Sequence, residues 1–396
     1  MEKRVKREKW MIDHKTVLAL IKAALENMPA DIPADFQQDE YLTFAKSQQI
    51  EALIIVGLRK SGLSVSKEIR NRLLASAMVS TKQLAAEKLL CEALRNHAID
   101  YMPLKGCVMK PLYPSDALRS MGDLDILVRV EQYDRIRPLM LSLGFCEGVE
   151  SDHEYVWDKD QIHVELHKRL IPSYNKDYYA YYGEGWQLAK PSATSFCYEM
   201  TPEDNFIYLF THYAKHYRDA GAGIRQALDL YVYRKAYPDM DEGYVLDKMK
   251  LLQLERFYAN TMHMLDVWFR GAEHTEASQL ISDRLFSGSV FGKRENSLQS
   301  TMLKQVNRHG SVKEAKLLNW FKRAFPPYKG MCQLYPVLKN CPLLLPIVWV
   351  VRWGNILLHK RRRFKEYMAE DSTLTEESVK EYREMLRKSG LDFNFK

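Results

Sequence analysis

The stretch Gly122-Asp-Leu-Asp-Ile-Leu-Val128 decides the fold class of this chain. Successive side chains of a β-strand point to opposite faces, so its even-numbered apolar residues share one face while Asp123 and Asp125 share the other. Two neighbouring carboxylates repel each other unless a cation neutralises them, and hard divalent cations prefer oxygen ligands. The stretch therefore predicts a strand that carries a cation site. A solvated strand edge is the alternative, because Asp-x-Asp also occurs at 158–160 and 239–241, where the surroundings indicate a turn and a loop.

A second run of alternating residues, Ile162-His-Val-Glu-Leu-His167, predicts another strand. Its apolar side chains share one face, which leaves His163, Glu165 and His167 on the other. If the two strands are neighbours, Glu165 adds a third carboxylate to the pair on the first strand. Two alternatives remain: the imidazoles could share a zinc ion, or the polar residues could form the solvated face of an ordinary sheet.

The segment Pro103-Leu-Lys-Gly-Cys-Val-Met-Lys110 precedes both strands and predicts a strand end, a glycine turn and the start of a short helix. A helix N-terminus offers unpaired N–H groups to a phosphate, and Gly106 allows the backbone to approach it closely. Lys105 would add a positive point charge. This turn is a candidate phosphate site, although strand–glycine–helix turns are also common without one.

Two arginines have both a functional and a structural interpretation. Arg119 lies just before the first strand and could bind phosphate oxygens through its guanidinium, or it could form a surface ion pair with Asp116 or Asp123. Arg225 lies four residues before Asp229, so it could form an i,i+4 ion pair on one helix, or face a cleft between the predicted sheet and the helices after residue 200.

His212 and His216 lie four residues apart, which puts them on one face of a predicted helix. In zinc-binding helices of this spacing a glutamate directly follows the first histidine, and Tyr213 stands there instead. The pair therefore indicates packing or substrate contact rather than a zinc site.

The hydrophobic period divides the chain into segments. Apolar residues recur at three- and four-residue steps before residue 98, including one long helix at 67–97, and again after residue 200. Between these regions the period changes to two, interrupted by a helix at 132–143. The predicted fold class is α+β, with a small mixed β-sheet core flanked by helices on both sides. The expected segments are an N-terminal helical segment at 1–98, an α/β core at 99–190, a larger C-terminal helical domain at 200–330, and a helical extension with apolar and basic stretches at 331–396.

The composition excludes several classes of protein. Of the 396 residues, 46% are hydrophobic and 28% are charged, which is typical of a globular chain and excludes collagen-like or wholly disordered proteins. A net charge of +7 is too small for a dedicated nucleic-acid coat protein. The six cysteines form no C-x-x-C pair and the charged N-terminus lacks an apolar signal-like run, so reduced thiols in a cytoplasmic protein are expected.

The most apolar stretch lies near the C-terminal end of the chain. Its longest uncharged piece, 341–351, is too short to cross a bilayer, so no integral membrane span is expected. A buried helix pair explains this stretch. The alternative is a surface-lying membrane anchor, backed by the basic run at 359–363, through which the C-terminal region would make peripheral membrane contact.

Taken in order, these motifs resemble the bacterial uncharacterised nucleotidyltransferase family of the DNA polymerase beta-like nucleotidyltransferase superfamily. The resemblance rests on Leu-Lys-Gly at 104–106, Leu-Tyr-Pro at 112–114, Arg-Ser-Met-Gly-Asp-Leu-Asp-Ile-Leu-Val at 119–128, Leu-Gly-Phe at 143–145, Val-Glu-Leu-His at 164–167, His-Tyr-Ala-Lys-His at 212–216 and Gly-Ile-Arg-Gln-Ala-Leu-Asp-Leu at 223–230. One position departs from the superfamily pattern, because Lys105-Gly106 stands where most members have Gly-Gly or Gly-Ser at the phosphate turn.

The resemblance implies transfer of a nucleoside monophosphate from an NTP such as ATP to an acceptor hydroxyl on a small molecule, a protein or RNA. It implies Mg²⁺ as the cofactor, with Mn²⁺ as an alternative, and makes Asp123, Asp125 and Glu165 both the metal ligands and the catalytic residues. The implied nucleotide- or phosphate-binding residues are Lys105, Gly106, Arg119, His167, His212, His216 and Arg225. The competing functions are a catalytically inactive nucleotide- or RNA-binding regulatory protein and a membrane-associated factor in envelope polysaccharide synthesis.

Overall fold

A computed structural model of the chain describes residues 12–289, 294–359 and 374–391. Within these ranges helices surround a small mixed β-sheet, so the predicted α+β class is confirmed. The basic residues at 360–363 and the charged residues at 1–11, on which two of the sequence-based interpretations depend, lie outside the described ranges.

The described part of the N-terminal segment, residues 12–98, is mostly helical, as the period of its apolar residues predicts. The long helix expected at 67–97 is present, and the Ser66 side chain caps its first turn by accepting a hydrogen bond from the Ile69 backbone N–H. The helices of this segment are α1 (His14–Glu26), α2 (Gln38–Ser47), α3 (Glu51–Lys60) and α4 (Lys67–Asn96).

The central sheet has the strand order β1-β2-β5-β4-β3. Strands β2 and β5 are parallel, and every other neighbouring pair is antiparallel. Its strands and the two helices between them are β1 (Tyr101–Pro103), α5 (Gly106–Met109), β2 (Asp123–Val128), α6 (Tyr133–Ser142), β3 (Cys146–Glu147), β4 (Glu154–Lys159) and β5 (Ile162–His167).

Strand β4 corrects the interpretation of the second Asp-x-Asp. Asp158 lies on this strand, and only Asp160 lies in the turn that joins β4 to β5. Asp160 and Gln161 both have positive φ, 46° and 69°, which is the backbone conformation of a tight two-residue hairpin turn. These turns usually contain glycine, and this one does not, so it could not be recognised from the sequence.

The described residues after the central sheet are mostly helical. Helix α8 begins after Thr201, whose side chain accepts a hydrogen bond from the Asp204 backbone N–H. The elements after the central sheet are α7 (Lys176–Tyr182), β6 (Lys190–Pro191), β7 (Tyr198–Glu199), α8 (Pro202–Asp219), α9 (Ile224–Ala236), α10 (Glu242–Leu251), α11 (Glu255–Arg270), α12 (Glu276–Ser287), α13 (Arg294–His309), α14 (Val312–Ala324), α15 (Tyr328–Leu334), α16 (Val337–Asn340), α17 (Leu345–His359) and α18 (Glu376–Ser389).

The two faces of the central sheet have different neighbours. Leu124, Ile126 and Val164 belong to a buried apolar cluster that also contains residues of α4 and α6. On the opposite face Leu127 joins a much larger cluster, to which the N-terminal helices and α8 to α12 contribute. The polar side chains of β2 and β5 therefore face α8 and α9, because alternation places them on the side opposite Leu124 and Ile126.

The C-terminal extension has a small apolar cluster of its own, formed by Met331, Cys332, Leu338 and Val348. None of the helices in the described ranges combines the length and apolarity needed to cross a membrane. The four-segment division of the chain stays a prediction.

Candidate active site

The pairing of β2 with β5 brings the three acidic side chains to one place. Asp125 lies opposite Glu165, and Asp123 lies opposite His163, in the parallel register. Ligand atoms of Asp123, His163 and Glu165 lie within 4.8 Å of one another, and so do those of Asp125, Glu165 and His167. Glu165 is shared by both groups, so the side chains form one continuous cluster.

The donor atoms of this cluster fit a divalent cation. Carboxylate oxygens are the ligands that Mg²⁺ prefers, and the imidazoles add donors that Mn²⁺ and Zn²⁺ accept. Burial and the negative charges of Glu165 and Asp125 raise the pKa of Asp123. A bound cation would relieve this crowding of negative charge. Because His163 and His167 both flank Glu165, the zinc alternative stays open.

Lys105 makes direct contact with this cluster. Its Nζ lies 2.7 Å from Asp125 Oδ1, and His167 Nε2 lies 2.8 Å from the same oxygen. Burial alone would raise the pKa of Asp125, but the Lys105 ammonium and the hydrogen bond from His167 hold it well below its usual range. Burial lowers the pKa of Lys105, and the attraction of Asp125 outweighs this and raises it. Asp125 is therefore a carboxylate neutralised from within the protein, and a phosphate contact for Lys105 stays a prediction.

Gly106 follows Lys105 at a crowded position. A Cβ on this residue would lie 2.5 Å from the Met121 sulfur and 3.1 Å from Arg119 Nη1. Protein neighbours thus explain the glycine here, whereas its predicted phosphate contact stays untested.

Arg119 forms an ion pair with neither of the acids that the sequence suggested. Its Nε and Nη2 donate to the two carboxylate oxygens of Asp229, at 3.0 and 2.9 Å, and the Tyr113 hydroxyl donates to the same carboxylate at 2.9 Å. A buried guanidinium needs such a two-bond partner, whereas a pair with Asp116 or Asp123 would have left Asp229 unpaired inside the protein.

The alternative i,i+4 pair between Arg225 and Asp229 is likewise wrong, because Asp229 pairs with Arg119. Arg225 instead donates through Nη1 to the side chain of Gln49 and to the Ser120 carbonyl, 3.0 Å away. Burial and the neighbouring Arg119 lower the pKa of Arg225 to about 10. These bonds tie α9 to the turn before α3 and to the loop before β2.

His212 and His216 contact each other on α8, with 3.1 Å between their Nε2 atoms. One nitrogen must donate and the other accept, so the two rings have different tautomers. Burial and the neighbouring His216 lower the pKa of His212 well below its usual range. Burial and Lys215 lower the pKa of His216 to about 3. Both imidazoles are therefore neutral at physiological pH.

One cavity of about 330 Å³ lies between the polar face of the sheet and helices α8 and α9. The predicted site residues that line it are Lys105, Gly106, Arg119, Asp123, Asp125, Glu165, His167, His212, His216 and Arg225. The structure thus brings these ten residues together, whereas His163 of the zinc alternative is not among the residues that line the cavity. Their roles stay predictions.

Several residues that line the same cavity were not predicted from the sequence. Lys215 is one of them, and burial together with the Lys105 ammonium lowers its pKa to about 8. It lies within the quoted His-Tyr-Ala-Lys-His motif, which was the available signal. His153 and Glu154 also line the cavity, and Glu154 lies opposite His167 in the β4–β5 ladder. No pattern in the sequence pointed to these two residues, because strand β4, which brings them to the cavity, was not predicted.

Comparisons with known proteins give three findings. A family model described as "Uncharacterised nucleotidyltransferase" matches residues 34–270. The solution structure of the antibiotic-resistance factor ANT(2'')-Ia is similar to this chain at a TM-score of 0.33 and 10% identity, over 49% of this chain and 100% of that one. No curated protein sequence matches. Since the family match covers more than half of the 396 residues and includes every motif of the resemblance, the chain belongs to the uncharacterised nucleotidyltransferase family.

Proposed function

We propose that this nucleotidyltransferase moves a nucleoside monophosphate from an NTP to an acceptor hydroxyl, with a divalent cation bound by Asp123, Asp125 and Glu165. One observation carries the proposal: the parallel pairing of β2 and β5 gathers these three carboxylates on one wall of a cavity. Mg²⁺ is the expected ion and Mn²⁺ the alternative, since the acids offer mainly oxygen ligands. A metal ion bound there would polarise the phosphate and lower the pKa of the attacking hydroxyl.

The opposite wall of the cavity supplies positive charge for the triphosphate. Lys215 on α8 and Arg225 on α9 both line the cavity. Ammonium and guanidinium groups bind phosphate oxygens well, so we assign the triphosphate to this wall. His212 and His216 are neutral neighbours that could donate or accept single hydrogen bonds to the nucleotide.

We assign the acceptance of the acceptor's proton to Glu165 rather than Asp125. Asp125 already accepts from Lys105 and His167, and its lowered pKa makes it a weak base. In the proposed step the acceptor oxygen forms a bond to the α-phosphorus and the α–β bridging bond breaks. Pyrophosphate leaves, and the hydroxyl proton passes to Glu165.

The acceptor is a small molecule, a protein or RNA, and ATP is the first NTP to try. We propose a cytoplasmic location, because all six cysteines lie in the described part of the chain and are free thiols.

The test is incubation of the purified protein and a cell extract with each α-labelled NTP, in Mg²⁺ and separately in Mn²⁺. We expect label to enter an acceptor with release of pyrophosphate. In the Asp123→Asn and Glu165→Gln variants, which keep the shape of each side chain, incorporation should fall to background. Incorporation that persists in both variants would contradict the proposal, and NTP binding without pyrophosphate release would instead support the inactive regulatory alternative.

The membrane-associated alternative is favoured by one specific observation. Leu343 lies in the turn just before α17, and Ile347 and Val350 lie near the start of that helix; their exposed fractions are 89%, 59% and 72%. An exposed apolar helix face is typical of segments that lie on a membrane surface. In a flotation experiment the protein should therefore rise with anionic liposomes. The double variant Ile347→Ser, Val350→Ser should stay at the bottom of the gradient. Equal flotation of both proteins would exclude this face as the contact.

A further inference from the structure

The acid cluster contains two overlapping places where a cation can bind. The first is formed by Asp123, His163 and Glu165, and the second by Asp125, Glu165 and His167. Nucleotidyl transfer is often served by two metal ions about 3.5–4 Å apart that share a carboxylate, and Glu165 is placed to be shared in this way. The cluster alone would therefore accommodate two divalent ions.

The Lys105 ammonium already occupies the second of these places. Its Nζ is 2.7 Å from Asp125 Oδ1 and 3.4 Å from His167 Nε2. The Asp125 side chain is 9% exposed and that of His167 is 1% exposed, so little water can screen the ammonium from a second cation. No described lysine or arginine has an ion pair with a carboxylate of the first place, Asp123 or Glu165, within 4.0 Å.

The backbone holds Lys105 where it is. The residue has φ 42° and ψ −105°, a backbone conformation that residues other than glycine rarely adopt. Hydrogen bonds fix both sides of it, from the Leu104 N–H to the Asp125 carbonyl and from the Met109 N–H to the Lys105 carbonyl, each 2.9 Å. A strained residue persists when its surroundings hold it there, so this lysine is part of the built site rather than a mobile surface side chain.

From this geometry we infer that the Lys105 ammonium replaces one of two metal ions, so that the acid cluster binds a single divalent ion, at Asp123 and Glu165. The inference rests on the proposed function and narrows its metal requirement. A second divalent ion would have to sit against the positive charge of Lys105, whose side chain is only 16% exposed, whereas the ammonium already neutralises Asp125. It also gives a role to the lysine that stands at 105 instead of a small residue.

The test counts bound Mn²⁺ by electron paramagnetic resonance in the full-length protein without nucleotide. The natural chain should bind one ion. Lys105→Met should bind two, and because two ions sharing Glu165 would be close together, their spectrum should show the extra lines of a coupled pair. Lys215→Met is the matched control, since it removes another cavity ammonium that makes no ion pair with Asp125, and it should still bind one ion.

Three results would overturn the inference: two ions in the natural chain, one ion in a folded Lys105→Met variant, or two ions in Lys215→Met. Circular dichroism shows whether Lys105→Met folds. If it does not, the number of Mn²⁺ ions bound by the natural chain still tests the inference, because two bound ions would contradict it. Counting the bound Mn²⁺ ions does not require the protein to be catalytically active. One ion without NMP transfer would contradict the proposed function alone, and two ions with transfer would contradict this inference alone.

Discussion

At the scale of single residues, the bond between Arg119 and Asp229 links the loop before β2 to α9. The Arg119 side chain is 6% exposed and that of Asp229 is 10% exposed, so neither charge is well solvated. We predict that Asp229→Ala lowers the free energy of unfolding by about 3–5 kcal/mol, because it leaves a buried guanidinium unpaired. Urea unfolding followed by fluorescence measures this change.

The control for that change is another arginine–aspartate pair in an exposed position. Arg270 and Asp266 lie on the surface of α11 with 3.0 Å between their charged atoms. Asp266→Ala should cost no more than about 1 kcal/mol, since exposed pairs contribute little. Equal losses in the two variants would show that the buried pair has no special role in stability.

Lys215 should make nucleotide binding depend on pH. Its pKa of about 8 means that the ammonium is present below pH 8 and is lost as the pH rises through that value. Between pH 7 and pH 9 we predict that NTP affinity falls about tenfold, in proportion to the protonated fraction. Calorimetric titration with a non-hydrolysable NTP measures it. The NTP affinity of Lys215→Arg should change little between pH 7 and pH 9. If the affinity of the natural chain is equally independent of pH, Lys215 does not bind the phosphates.

At the scale of secondary-structure elements, α1 and α3 approach each other closely at Gly57. A Cβ at this position would lie 2.2 Å from the Leu20 carbonyl oxygen of α1. Gly57→Ala must therefore push the two helices apart, and we predict a loss of stability of about 1–3 kcal/mol or more. Thermal unfolding followed by circular dichroism measures it.

Gly354 on α17 is the matched control for this substitution, because a Cβ there would meet no atom within 4 Å. Alanine has the higher helix propensity, so Gly354→Ala should leave stability unchanged or raise it by up to about 1 kcal/mol. If Gly57→Ala is as well tolerated as Gly354→Ala, then α1 and α3 are not packed as closely as described.

At the scale of the whole molecule, the helices before and after the sheet share one core. Leu20 of α1 and Leu228 of α9 belong to the same buried apolar cluster. The Gln48 side chain reinforces this contact by donating to the Leu285 carbonyl and accepting from the Ile224 N–H, each at 3.0 Å. Parts that share one core are expected to unfold together.

We therefore predict that Leu20→Ala, at a residue that does not line the cavity, lowers the temperature at which NTP binding is lost. Removing a buried leucine costs about 2–5 kcal/mol. Differential scanning calorimetry, with and without NTP, measures the shift. Leu338→Ala is the control, because this leucine is equally buried but belongs to the separate cluster of the C-terminal extension. This variant should leave the temperature at which NTP binding is lost unchanged. Separate transitions for the N-terminal helices and the cavity would refute the shared core.

Much of the fold and of the candidate site could be predicted from the sequence, because the relevant patterns are local. Helix α4 follows from the recurrence of apolar residues, and β2 and β5 follow from alternation. The same alternation predicted that Asp123 and Asp125 share a face, and that Glu165 shares one with His163 and His167. These relations depend only on residues two to four apart, so they hold in any tertiary context that keeps the element.

Only the tertiary structure decided which of these residues meet across the chain. Asp125 lies opposite Glu165 because β5 pairs with β2 in a parallel register, and β4 occupies the other side of β5. Arg119 pairs with Asp229, which is 110 positions further along the chain, and Lys105 contacts Asp125 rather than solvent. Such contacts depend on how the strands and helices pack, and buried charges take whichever partner the packing brings within hydrogen-bonding distance.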